Sequence, residues 1–269
     1  MNPMDVSTSE HRPVVRGDAP PTARTPVTCT IIAFNEVDRI HRTIESVKDL
    51  ADEVLVIDSG STDGTVELCQ RLSARVIHND WPGYGPQKRL AEELAKHDWI
   101  LNLDADEELS KELHEEIRGL IANPIPPERS YSVARVDIYP NRDSPAPFAY
   151  KYGCIRLYNR KITRFRDSLA HDSVLATKDV VGLDGLVYHR SIRGFGPIVT
   201  KSIVYAELQK REGKAVRRLS PLRVVVELPF QFFRYYVLRR HVFGGAAGFA
   251  YAVALSIGRL SRLFILRGW

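Results

Sequence analysis

The chain has 269 residues, 44% hydrophobic and 26% charged, a balance that supplies a sizeable core and excludes disorder throughout. Its three cysteines, Cys29, Cys69 and Cys154, are odd in number and include no C-x-x-C pair, so neither a disulfide framework nor a zinc cage is signalled and a reducing cytosol fits. The formal charge of +5 conceals a split: residues 190–269 carry 15 Lys and Arg against 3 acids, whereas the rest of the chain is net acidic.

Residues 1–25 are rich in Pro, Ser, Thr and Arg and have no apolar h-region, so they read as a disordered segment and not as a secretory signal. The apolar run at 27–34 predicts a buried strand, followed by a helix with Ile40, Ile44, Val47 and Ala51 on one face. A second strand at 53–58 leads through a Ser-Gly-Ser-Thr-Asp-Gly turn into a helix at 65–72 with Val66, Cys69 and Leu72 inward. A short third strand at 75–78, a helix at 87–97 and a fourth strand at 99–103 follow; Ser110 then caps a helix carrying Leu113, Ile117 and Leu120. This alternation predicts an α/β fold with a mostly parallel sheet flanked by helices, in which ligands bind beyond the carboxyl ends of the strands. Those ends carry Asn35-Glu36, Asp58 and Asp104-Ala105-Asp106.

Beyond Ile121 the periodicity weakens, and residues up to about 190 read as strands and loops with Tyr131, Tyr139, Tyr150, Tyr152 and Tyr158, suited to acceptor recognition. Helical spacing returns from Pro197: one amphipathic helix to Arg211, then two that carry the basic, apolar tail. The cations are interleaved with Val224-Val225-Val226 and Phe230-Gln231-Phe232-Phe233, which favours an anionic membrane surface over nucleic acid. The longest uncharged run, 242–257, falls short of the ~20 residues of a span and reads as interfacial or re-entrant. Packing of the tail on the catalytic core is the competing expectation, opposed by arginines that would be costly in a closed core.

Asp104 and Asp106 leave a strand one residue apart, so both carboxylates can turn toward one divalent cation bridging two phosphates, with hard oxygen ligands suiting Mg²⁺ or Mn²⁺. D-x-D is a weak motif alone; its position at a sheet edge gives it weight against the alternative of two solvated acids before a helix. Asp58 is a short acceptor placed to meet a base or ribose edge, and Asp63, before Gly64 and a helix, suits capping. Asn35-Glu36 suits either nucleotide contact or capping. His189 follows a Leu-Val-Tyr run and suits either the metal and diphosphate or a satisfied, partly buried position.

Together, VTCTIIAFNE, VLVIDSGSTDGT, the stretch from Trp81 to Lys88 and WILNLDADE resemble the family 2 inverting glycosyltransferases of the GT-A fold, in the branch of lipopolysaccharide core beta-glucosyltransferases. The likeness is strong over residues 27–121 and looser through Ile155–Tyr158, Ala170-His171-Asp172 and 243–249. It implies that Asp58 contacts the donor base, that Asp104 and Asp106 bind the metal diphosphate, and that Lys88 lies near the donor phosphates. The branch commonly has Asn after Gln-Lys, where this chain has Arg89, and its His-Glu pair stands here as His171-Asp172.

An inverting transfer needs one general base within about 3 Å of the acceptor hydroxyl, and the resemblance makes Asp172 the candidate, with His171 as the other. The implied organisation is a catalytic domain at 26–195, made of a nucleotide-sugar half (26–122) and an acceptor-side half (123–195), followed by a basic amphipathic membrane-associating region at 196–269. The implied donor is UDP-glucose and the acceptor a heptose of the lipid-linked lipopolysaccharide inner core, with the enzyme peripheral on the cytoplasmic face of the inner membrane. A dinucleotide oxidoreductase is excluded because Phe34–Arg39 contains no glycine for a G-x-G-x-x-G turn. A non-catalytic membrane-bound protein is disfavoured because it would not need acidic clusters at successive strand ends.

Overall fold

The structure is a computed structural model that describes residues 24–170, 173–214 and 221–267. The first half builds strands β1 (Val27–Ala33), β2 (Glu53–Asp58), β3 (Arg75–His78) and β4 (Trp99–Asp104). Between them run helices α1 (Ile40–Glu45), α2 (Thr65–Arg71) and α3 (Tyr84–Leu94). Strand β5 (Glu107–Leu109) and helix α4 (Lys111–Ile121) close this half. Ser110 caps α4, its hydroxyl accepting from the Leu113 N–H at 3.2 Å.

β3, β2, β1 and β4 pair in parallel in that order, as the strand–helix alternation predicts. The sheet then changes character. β6 (Arg129–Asp137), β7 (Tyr152–Asn159) and β8 (Asp179–His189) extend it, with β7 antiparallel to both β4 and β6, β8 parallel to β6, and β5 antiparallel to β8. The result is one mixed eight-stranded sheet, so the expected mostly parallel character belongs to its first half. The two catalytic halves expected from the sequence are parts of this single sheet.

Strand periodicity divides the core between the two faces. On β4, Trp99, Leu101 and Leu103 join Val27, Cys29 and Ile31 of β1 under α1 and α4, which contribute Ile40, Ile44, Leu113 and Ile117. Ile100 points the other way, with Leu55 and Ile57, against Ala91 and Ala95 beside Phe165. On that second face Thr30, Asn102 and Lys88 replace apolar residues: the Asn102 amide donates to Thr30 Oγ1 at 3.1 Å, and the Lys88 ammonium donates to Asn102 Oδ1 at 3.3 Å. A buried polar file therefore leads along β4 to Asp104.

Three long helical elements complete the molecule: α5 (Phe195–Arg211), α6 (Pro221–Phe233) and α7 (Gly245–Arg267). α6 contains Pro229 and continues into a π turn over Arg234–Leu238, and a 3₁₀ turn at His241–Gly244 precedes α7. The helical stretch His241–Arg267 is long and apolar enough to cross a membrane by length and composition, yet α7 packs against α5 so closely that a Cβ on Gly258 would lie 2.4 Å from Ser202 Oγ.

Candidate active site

Beyond the carboxyl ends of the parallel strands lies a cleft of about 920 Å³, walled by the β1 and β4 termini, β6, α5, the π turn and α7. Asp104, Asp106, Glu36 and His189 line it, with Arg39, Asp137 and Lys201. The two carboxylates of the D-x-D motif have different partners. Asp104 turns toward the buried polar file: its Oδ1 accepts from Lys88 Nζ at 2.6 Å and its Oδ2 from Arg156 at 3.3 Å. Asp106 has its Oδ2 3.5 Å from His189 Nε2 and 3.4 Å from an Arg39 nitrogen. Both acids line the cleft, Asp104 held by Lys88 and Arg156 and Asp106 set beside His189 and Arg39.

Beneath Asp104 is an ion cluster that sequence reasoning missed. Glu107 on β5 is fully buried, its carboxylate held by Arg156 and, at 3.3 Å, by Arg135, while its other oxygen accepts from the Asp104 N–H at 3.0 Å. Burial pushes the Asp104 carboxyl up, but Lys88, Arg156 and Arg135 overcome this and hold it well below the usual carboxylate range. An arginine inside the otherwise apolar run Cys-Ile-Arg-Leu-Tyr was the available signal, since a charge on a central strand needs a buried partner.

His189 is buried and doubly engaged: Nδ1 lies 2.8 Å from Asp137 Oδ1, and Nε2 faces Asp106. Burial pulls the imidazole down, but Asp106 and Asp137 outweigh it and raise the group, favouring its protonated form between two carboxylates that are themselves held low. Asp137 ends β6, in register with His189 at the end of β8; the parallel pairing that joins them is a tertiary fact with no local sequence signal. Lys201 on α5 faces the same carboxylate, and although desolvation opposes it, the charge of Asp106 raises its ammonium.

The remaining expected residues divide by location. Glu36 lines the cleft, paired with Arg39 at 2.8 Å and Arg193 at 2.9 Å. Asn35, with φ 55°, accepts from the Thr62 N–H at 2.9 Å, and its own N–H donates to Ser61 Oγ at 2.8 Å. Asp58 is buried and accepts from the N–H groups of Gly60 and Ser61 at 2.8 and 2.9 Å. Asn35 and Asp58 thus lock one turn, and the Asp58 oxygens are engaged by protein.

Asp63 accepts from the Thr65 N–H at 3.0 Å, consistent with capping. Lys88, expected near donor phosphates, is only 1% exposed and lies under Asp104, 4.8 Å from the Phe165 ring centroid. Arg89 donates to the Phe165 carbonyl at 2.9 Å. His171 and Asp172 lie outside the described residues. The segment before them is anchored to the start of α3, where the Tyr84 and Gly85 N–H groups donate to the carbonyls of Leu169 and Ser168 at 3.0 and 2.9 Å.

A mixed α/β sheet with charged groups gathered beyond its parallel strand ends defines an enzyme site of the nucleotide-binding kind. Residues 28–172 match the model of Glycosyl transferase family 2, and the chain belongs to that family, with the GT-A type of sheet. It is 38% identical over 252 residues to an uncharacterized glycosyltransferase of Rickettsia conorii, covering 90% of this chain and 89% of that one. Over 102 residues it is 39% identical to the lipopolysaccharide core biosynthesis glycosyltransferase LpsC of Rhizobium meliloti, covering 36% of this chain and 37% of that one. Among solved structures, S. aureus TarS in complex with UDP-GlcNAc aligns at 13% identity with a TM-score of 0.46, covering 87% of this chain and 90% of that fragment; of a longer TarS chain the alignment spans 55%.

Proposed function

We propose that this glycosyltransferase moves a hexose, glucose, from a UDP-sugar with inversion onto a lipid-linked glycan, a heptose of the lipopolysaccharide inner core. The observation that carries the donor half is the Asp137–His189–Asp106 chain on the cleft wall. Mg²⁺ and Mn²⁺ are typically held by one or two protein carboxylates, with phosphate oxygens and water completing the shell. Asp106 with His189 fits that donor set, and the Asp137 bond to Nδ1 is the arrangement that orients a ligating imidazole. Among the described residues no group of three or more His, Cys, Asp or Glu is arranged to hold an ion. When bound, the cation supplies charge neutralisation for the departing diphosphate.

The chain's own groups supply the remainder. Lys201, facing Asp106, meets negative charge that develops on the leaving group. Asp104, kept ionised by Lys88 and Arg156, accepts hydrogen bonds from donor hydroxyls. Asp172 takes the proton of the attacking acceptor hydroxyl, with His171 beside it, as the family resemblance implies.

The lipopolysaccharide acceptor is supported by the partial likeness to the core biosynthesis glycosyltransferase. Membrane association is supported by the polarity of α6, which is inverted: Gln231 is 7% exposed, whereas Val225 is 72% and Phe230 53% exposed. A helix whose outer face is more apolar than its inner face suits lipid, and Arg240 lies exposed beside it for anionic headgroups. The chain then lies on the cytoplasmic leaflet, where lipid-linked acceptors are presented.

A donor screen tests the reading: UDP release from UDP-glucose and other nucleotide sugars, with Mn²⁺, Mg²⁺ or chelator, with and without heptose-containing lipopolysaccharide core. Acceptor- and cation-dependent release with UDP-glucose is expected. Equal release in chelator sinks the metal assignment, and preference for another nucleotide sinks the donor assignment.

A further inference from the structure

Around Asp106 the carboxylates have basic partners, but on the wall built by the π turn and α7 three guanidinium groups have no acidic partner among the described residues. Arg239, Arg259 and Arg262 all line the cleft. Among the described residues no carboxylate lies within 4.0 Å of any of them. They are held by neutral groups instead. Arg239 donates to the Tyr152 hydroxyl at 2.7 Å and lies 5.4, 5.1 and 5.0 Å from the ring centroids of Tyr150, Tyr152 and Tyr235. Arg259 donates through Nε to the Tyr235 hydroxyl at 2.9 Å, and Arg262 through Nε to Gln209 Oε1 at 2.7 Å.

Such contacts fix guanidinium planes without neutralising them, and both Nη groups of Arg259 and Arg262 remain to donate as a fork. Arg259 and Arg262 are also one helical turn apart, a like-charge spacing that opposes folding in the absence of an anion. Burial and then the Arg259 charge pull the Arg262 guanidinium down. Glu227, the acid on α6 that acts on this group, accepts from Gln231 at 2.9 Å. The wall belongs to the catalytic cleft, because Tyr251 of α7 donates to Asp137 Oδ2 at 3.4 Å, the same carboxylate that holds His189.

We propose that Arg239, Arg259 and Arg262 form an oxyanion subsite that binds a phosphate group carried by the acceptor. The inference rests on the transferase reading of the cleft. Forked guanidinium groups match tetrahedral phosphate bidentately, and three of them suit a dianion. They sit at the π turn and on α7, elements that carry none of Asp104, Asp106, His189 and Lys201, and they anchor the acceptor while its hydroxyl reaches the donor. The acceptor is therefore a phosphorylated one.

The test uses full-length protein saturated with UDP and Mn²⁺, so that the donor site is filled, and titrated with inorganic phosphate in a calorimeter. The wild type is expected to bind phosphate, and the Arg259→Gln, Arg262→Gln double variant to bind it at least tenfold more weakly, with UDP affinity changed less than twofold. Phosphate that binds both proteins equally, or does not bind the wild type, overturns the subsite. Weakened UDP binding in the variant overturns the assignment to the acceptor, because the arginines are then donor ligands.

Arg239→Lys, which keeps the charge and removes the fork, provides a second variant, expected to bind phosphate severalfold more weakly at unchanged melting temperature. Glycerol 3-phosphate and phosphatidylglycerol vesicles, run in parallel, separate a phosphate on a soluble glycan from one in a lipid headgroup; arginine dependence in neither arm also overturns the proposal. A wild type that binds no UDP defeats the UDP-donor reading, and that outcome is scored in its own titration.

Discussion

Asp104 and Asp106 are two residues apart and have different surroundings, so their variants should fail differently. Asp106 faces His189 and Arg39 at the cleft surface. Asp106→Asn is expected to lower sugar transfer by two orders of magnitude or more in protein that still folds, as a cooperative melt checks; transfer at the wild-type rate would remove Asp106 from the metal site. Asp104, by contrast, closes a buried ion cluster. Lys88→Met leaves Asp104 without its 2.6 Å ammonium partner, and breaking a buried pair of this kind costs about 3–5 kcal/mol. Chemical denaturation should show that loss, and a stability within error of the wild type would refute the structural role of Lys88. For Asp172 the discriminating measurement is donor binding: Asp172→Asn is expected to lose turnover while binding UDP-glucose as before, and lost binding would point to a structural role instead.

At the scale of elements, the junction between α3 and the segment leading to residue 170 is unusually close. A Cβ on Gly85 would lie 2.3 Å from the Arg166 carbonyl oxygen and 2.5 Å from that of Ser168, so only glycine lets the helix start meet this loop. Gly85→Ala should cost about 1–3 kcal/mol through the forced backbone shift. Transfer should fall further than stability does, because the loop leads directly to the candidate base. Equal stability for Gly85→Ala in a thermal melt would refute the close packing. α6 makes a separate prediction: replacing Phe230 and Phe233, both exposed, by Ser should reduce flotation with anionic vesicles and leave melting unchanged. Undiminished flotation would rule out this face as the docking surface.

For the whole molecule, the charge arrangement sets how stability depends on pH. Burial works against the Asp104 charge, but the surrounding cations prevail and lower the folded-state value below that of the unfolded chain. Its contribution is therefore present above the ordinary carboxylate pKa and is lost as pH falls through the lowered one. His189 has the opposite sign. Desolvation is outweighed by Asp106 and Asp137, the folded value is raised, and the stabilisation is complete below about pH 6.5 and lost as pH rises through the raised value. Melting measured in chelator should decline on the alkaline side, and His189→Gln should flatten that limb; an unchanged alkaline limb would show that His189 does not carry a stabilising proton.

Much of this was legible locally. The β1 to β4 alternation, the Ser110 cap and the acidic residues at the strand ends follow from hydrophobic period and capping chemistry, which depend on near neighbours in sequence. Four motifs in order were also enough to place the chain in its family. What only the tertiary structure decided is which charges meet. Arg156 and Glu107 are brought together across the sheet, Asp137 and His189 by the β6–β8 pairing, and Lys88 is drawn beneath Asp104 by the packing of α3. Those pairings depend on strand order and register between segments tens of residues apart, which no local spacing encodes. For the same reason, the D-x-D motif could be read from the sequence, but the partners that hold each of its carboxylates could not.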